Sequence, residues 1–121
     1  MVVLDTNVII DFLDGKEKVV SAVSGYIASE LSMTFVNEYE LLKYHRRGKL
    51  EEALENLHVY HSSEAAIKAS VNAYRHLKSK GTMISDSDLL IFGVCAANNE
   101  TLLTQDRAFE SLHNESIIVI R

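Results

Sequence analysis

Four acidic residues, Asp5, Glu40, Asp88 and Asp106, stand where apolar stretches give way to polar ones. Asp5 directly follows Val2-Val3-Leu4, and Asp106 comes two residues after Leu102-Leu103-Thr104. Glu40 lies one helical turn beyond Met33–Val36, and Asp88 sits just ahead of a long apolar segment. Taken singly, each acid reads as a helix cap. Asn37-x-x-Glu40 and Ser85-x-x-Asp88 approximate capping boxes, and Asp5 and Asp106 suit N-cap positions. Together they suggest different chemistry. A carboxylate against a sheet core is costly when unpaired, and two carboxylates 4 Å apart repel by about 4 kcal/mol at an effective dielectric of 20. A divalent cation resolves that conflict, and a ligand set made only of oxygen favours Mg²⁺ or Mn²⁺ over zinc.

The elements that must position these acids can be read from the apolar pattern. Val2–Leu4, Met33–Val36, Leu102–Thr104 and Ile117–Ile120 read as short strands, with Val59-Tyr60 a weaker fifth. None alternates with polar residues, as expected of strands buried on both faces. Helical periodicity fills the gaps. Val20, Val23 and Ile27 share one face; Leu50, Ala53, Leu54 and Leu57 form a stripe; Ile67, Val71, Tyr74 and Leu77 form another. A helix runs from Asn37 through Arg47, and Leu89–Cys95 is apolar almost all round, hence buried. Strands alternating with helices predict an α/β fold with four to five strands in a mostly parallel sheet. In such sheets, sites form at the carboxyl ends of the strands, and Asp5 and Asp106 fall there.

The chain has 121 residues, expected to form one domain over 1–121, and 47% of them are apolar. Twelve Lys+Arg against seventeen Asp+Glu leave a net charge of −5, which excludes a basic nucleic-acid wrapper. The one cysteine, Cys95, cannot close an internal disulfide and suits a reducing cytoplasm. The longest apolar run, Leu89–Ala97, has nine residues, about half of the ~20 needed to span a membrane. The N-terminus lacks a basic region ahead of its apolar stretch, so neither a secretory signal nor membrane association is expected.

Four segments resemble the successive motifs of PIN-domain nucleases, and among these the VapC toxins of toxin–antitoxin pairs. They are Val3-Leu4-Asp5-Thr6-Asn7-Val8-Ile9-Ile10, Asn37-Glu38-Tyr39-Glu40-Leu41-Leu42, Ile84-Ser85-Asp86-Ser87-Asp88-Leu89-Leu90-Ile91 and Leu103-Thr104-Gln105-Asp106-Arg107-Ala108-Phe109. Each is weak alone, but the four occur in the family's order across essentially the whole chain. The resemblance implies a three-layer α/β/α domain and a Mg²⁺-dependent endoribonuclease, with Mn²⁺ as a plausible substitute. It also implies a homodimer held inactive by a cognate antitoxin. Carried over position by position, Asp5, Glu40, Asp88 and Asp106 are the catalytic and metal-binding acids, with Asp86 and Glu38 as nearby alternatives. Carboxylate-held metal hydrolyses a phosphodiester by activating water and stabilising the added negative charge. The chain departs from the family pattern at Phe92-Gly93, where relatives commonly carry small alanines.

Other features are weaker. Lys43, His45, Arg46, Arg47 and Lys49 form the only dense basic cluster. It reads either as a solvated helix end or, with Lys43, Arg46 and Arg47, as contacts to an RNA backbone. His58-x-x-His61 flanks a strand and reads as solvent-facing, and Cys95 reads as an inert core residue. A haloacid-dehalogenase-type phosphatase would want a second Asp at the position of Asn7, and a receiver domain would want its acceptor Asp on a middle strand. The rival from another class is a catalytically silent PIN-like binding module.

Overall fold

In a computed structural model that describes residues 1–44 and 49–121, the chain forms five parallel strands in the order β3-β2-β1-β4-β5. These are β1 (Val2–Leu4), β2 (Leu31–Thr34), β3 (His58–Tyr60), β4 (Thr101–Thr104) and β5 (Ile117–Val119). The helices are α1 (Thr6–Leu13), α2 (Glu17–Val23), α3 (Phe35–Tyr44), α4 (Lys49–Asn56), α5 (Glu64–Ser79) and α6 (Asp86–Ala97). Two 3₁₀ turns, Ala28–Glu30 and Arg107–Leu112, precede β2 and β5.

The pleat of β1 divides the core. Val2 and Leu4 join Val8 and Ile9 of α1, Val19 and Val23 of α2, and Leu50 of α4. Val3 points the other way, to Ile91 and Cys95 of α6 and Phe109 of the second 3₁₀ turn. Helices therefore cover both faces, the three-layer arrangement expected of unalternating parallel strands. Among the described residues, no helix is long and apolar enough to cross a membrane.

Several elements differ from the sequence expectation. The second strand ends at Thr34, and Phe35 and Val36 open α3. The Asn37 N–H donates to the Thr34 hydroxyl at 3.3 Å, while the Asn37 Oδ1 accepts the Thr34 N–H at 2.9 Å. This reciprocal box stops the strand at Thr34, one turn earlier than a box starting at Asn37 would. In α2, Val19 and Val23 are buried, whereas Ile27 lies beyond the helix and is 63% exposed. The described part of α3 ends at Tyr44, so the expected helical stretch over 45–47 lies outside the described residues.

The buried face of α5 is rotated from the expected stripe. Ala66, Ser70 and Leu77 are buried, while Ile67 and Val71 are 45% and 39% exposed. The cause is close packing of α5 on α6. A Cβ at Gly93 would overlap the Ser70 hydroxyl and the Ala66 carbonyl oxygen, so only glycine permits this approach. The Ser70 Oγ lies 2.8 Å from the Leu89 carbonyl oxygen and ties the two helices together. Small residues thus take the contact, and the bulkier Ile67 and Val71 turn outward. The departure at Phe92-Gly93 is therefore part of the packing of this layer.

Candidate active site

The chain moves outward from β1 to β2 and β3, then returns past β1 to β4 and β5. That reversal leaves a crevice between β1 and β4 at their carboxyl ends, where α/β sheets place ligand sites. Leu4 is in register with Leu103, and the Asp5 N–H donates to the Leu103 carbonyl at 2.9 Å. The residues after each strand therefore emerge side by side. An open cleft there is lined by Asp5, Thr6, Asn7, Ile10, Glu40, Ser85, Asp88 and Asp106. All four acids singled out in the sequence meet in it, each from a different element.

Asp5 caps α1 and is only 7% exposed. Its Oδ1 accepts the Thr6 N–H at 2.9 Å and the Asn37 amide at 3.3 Å, and its Oδ2 accepts the Thr104 hydroxyl at 2.6 Å. Burial holds its carboxyl above the ordinary aspartate range, the bonds from Thr104 and Thr6 oppose this, and the charges of Glu40 and Asp106 add to it. Asp88 lies in the first turn of α6, where its N–H donates to the capping Ser85 hydroxyl at 3.1 Å. Its carboxyl is pushed up to about 6, first by desolvation and then by Asp5, Asp106 and Glu40, against a lowering interaction of the carboxylate with the Ser85 side chain.

Glu40, in the second turn of α3, accepts the Thr6 hydroxyl on Oε1 at 2.7 Å. Asp106 is exposed and caps the second 3₁₀ turn, its Oδ1 accepting the Ala108 N–H at 2.8 Å. Its own N–H donates to the Thr104 hydroxyl at 3.0 Å. Capping and clustering thus coexist, because a helix that starts at a strand's carboxyl end puts its cap residue at the sheet edge. Glu40 and Asp88 are the exceptions: the box in α3 is formed by Thr34 and Asn37, and α6 is capped by the Ser85 side chain.

Among the described residues, no basic side chain lines the cleft and none of the four acids forms an ion pair. An all-oxygen set with this much uncompensated charge suits a hard divalent cation in chemistry. As folded here, however, no three carboxylate, imidazole or thiolate groups among the described residues converge closely enough to hold an ion. Of the alternative acids, Asp86 lines a groove between α5 and α6 with Ser70, Val71, Tyr74, Leu89 and Leu90, and Glu38 does not line the cleft.

The polar residues that hold the acids were not singled out from the sequence. The motif segments contain Asn37 and Thr104 but assign neither a role at the site, yet both are fully buried. The available signal was spacing: Asn37 is three residues before Glu40, on the same helix face, and Thr104 is two before Asp106. Lys43 is exposed on α3, its ammonium 5.5 Å from the Tyr39 ring centroid. Arg46 and Arg47 lie outside the described residues. His58 and His61 are exposed, with the His58 ring edge-on to Tyr60 at 4.6 Å. Cys95 is buried away from the cleft, and burial, with the charges of Asp5 and Glu100, pushes its thiol up to about 12.

Solved structures share this fold at low identity. A DNA-bound VapBC complex from Salmonella typhimurium matches with a TM-score of 0.82 at 19% identity, covering 100% of both chains. A toxin–antitoxin complex from Klebsiella pneumoniae matches with a TM-score of 0.81 at 17% identity, covering 100% of this chain and 98% of that one. VapBC-1 from nontypeable Haemophilus influenzae matches at 0.78 and 21% identity, covering 98% of each. No curated protein matches the sequence. The PIN domain model, in contrast, aligns with residues 2–114, and the chain belongs to the PIN domain family.

Proposed function

We propose that this chain is a metal-dependent endoribonuclease, the toxin of a toxin–antitoxin pair, in which Asp5, Glu40, Asp88 and Asp106 hold Mg²⁺, with Mn²⁺ able to replace it. The observation that carries this reading is the cleft itself, where four carboxylates from four elements meet at the β1/β4 switch point without a basic partner among the described residues. When bound, the cation supplies Lewis acidity toward a phosphodiester. Asp5 and Glu40 are the fixed members, held by hydrogen bonds at the floor and wall of the cleft. Asp88 and Asp106 flank them from α6 and the loop after β4. With no histidine or cysteine in the lining, the chain offers general-base and ligand roles from carboxylates alone, which suits direct attack by water rather than a covalent intermediate. Lys43, Arg46 and Arg47 would contact the RNA backbone.

Membership of the PIN family and the likeness to solved toxin–antitoxin complexes support a toxin blocked by an antitoxin chain; the same reading takes it to be cytoplasmic and homodimeric. An antitoxin Arg offering a bidentate fork to the carboxylates is the fitting inhibitor. The observation on the side of the rival reading, a silent binding module, is that no three ligand groups among the described residues converge. One experiment separates the two: incubation of the purified chain with a panel of RNAs in Mg²⁺ and in EDTA. Cleavage that needs Mg²⁺ and disappears in Asp5→Asn supports the nuclease. RNA binding without turnover, unchanged by EDTA, supports the module.

A further inference from the structure

We propose that Asn37 is a positioning residue that locks Asp5 and Glu40 into one fixed geometry, a role that rests on the nuclease reading above. The direction of every bond follows from the one donor whose identity is unambiguous. The Thr34 backbone N–H lies 2.9 Å from the Asn37 Oδ1, so that atom is the carbonyl oxygen, and the Thr34 hydroxyl donates to it as well at 2.8 Å. The amide nitrogen must then face the cleft, where it donates to the Asp5 Oδ1 at 3.3 Å and to the Thr6 hydroxyl at 3.1 Å. Having accepted that bond, the Thr6 hydroxyl points its own proton at the Glu40 Oε1, 2.7 Å away.

One buried amide thus reaches two carboxylates on separate elements, one directly and one through Thr6. All four of its hydrogen-bonding positions are used. An apolar residue of similar size could fill the space, since Asn37 is 0% exposed, but could not orient either acid. No other described side chain hydrogen-bonds to the Asp5 carboxylate and to the partner of Glu40 at once. The Thr104 hydroxyl holds the opposite oxygen of Asp5 and leaves Glu40 untouched.

The test uses the carboxyl-carbon NMR signals of the metal-free protein, together with Mg²⁺ titration by calorimetry. Asn37→Ala should move the signals of both Asp5 and Glu40, and Thr6→Val should move Glu40's strongly. The double variant should move Glu40's no further than Thr6→Val alone, because Asn37 reaches Glu40 only through Thr6. Mg²⁺ affinity should fall about 10- to 100-fold in Asn37→Ala, the range for outer-shell partners of ligands, and kcat should fall while KM for RNA stays nearly constant. Thr6→Val, at a half-exposed position, serves if Asn37→Ala does not fold. A Glu40 signal unmoved by Thr6→Val, or unmoved by a folded Asn37→Ala, overturns the relay whatever the RNA assay gives. Failure of wild type to bind Mg²⁺ and cut RNA, with the NMR pattern as expected, overturns the functional reading instead.

Discussion

Without metal, Asp88 should destabilise the fold at neutral pH, so Asp88→Asn should stabilise it. The carboxyl titrates at about 6 in the folded chain against an ordinary value of 3.8. At about 1.36 kcal/mol per pH unit, that gap sets a ceiling of about 3 kcal/mol. Asp88 is partly exposed, and solvent screening reduces the expected effect to about 1 kcal/mol. The direction follows from proton binding. An acid whose folded pKa is raised holds its proton more tightly when folded, so its destabilisation is complete above pH 6. It fades as pH falls toward 3.8 and is gone below both values.

Asn is isosteric and keeps the backbone N–H bond to Ser85, so the cap is unaffected. In EDTA at pH 7.5, Asp88→Asn should therefore unfold in urea with about 1 kcal/mol more stability than wild type, raising Tm by about 3–5 °C. At pH 3, below both values, the two should coincide. Saturating Mg²⁺ should reverse the order, since wild type gains about 2.7 kcal/mol at a hundredfold excess over Kd and the variant gains less. A variant weaker than wild type in EDTA at pH 7.5, or a difference equal at both pH values, would refute the repulsion argument and leave Asp88 as an ordinary first-turn helix residue.

Gly93→Ala should destabilise the chain by roughly 1–3 kcal/mol, toward the upper end because the overlap includes a backbone carbonyl that cannot swing aside; thermal melts would measure it. Cys95 should resist alkylation at pH 8 in the folded chain and react only on unfolding, since burial both shields the thiol and disfavours its thiolate. Mass spectrometry after iodoacetamide treatment reads this directly, and rapid labelling of the native chain would contradict it. Replacing Lys43, Arg46 and Arg47 together with Ala should weaken RNA binding across sequences and flatten its log–log salt slope by about 2, at roughly 0.7 per phosphate contact on a single strand. An unchanged slope would return the cluster to the role of a solvated helix end.

Much of the architecture follows from local pattern alone. Val2–Leu4 and Leu102–Thr104 carry no alternation and settle inside the sheet, covered on both sides, whereas the equally apolar Ile117–Val119 takes the sheet's edge with Ile118 43% exposed. Parallel strands all end at one edge, so Asp5 and Asp106 had to emerge near each other once the connections were helical. Ser85, Asp5 and Asp106 act as caps because a short polar side chain ahead of a helix satisfies its free N–H groups wherever the helix packs. The tertiary structure decided the rest, chiefly how far each helix rotates about its own axis. The period of α5 fits more than one buried face, and the close approach of Gly93 to Ser70 selected Ala66, Ser70 and Leu77 over Ile67 and Val71. Rotation likewise sends Asp88 into the cleft and Asp86, two residues earlier on α6, into the groove beside α5. Asn37 and Thr104 have the composition of ordinary caps and strand ends. Their hold on Asp5 spans 32 and 99 residues of chain, a separation that no local pattern can encode.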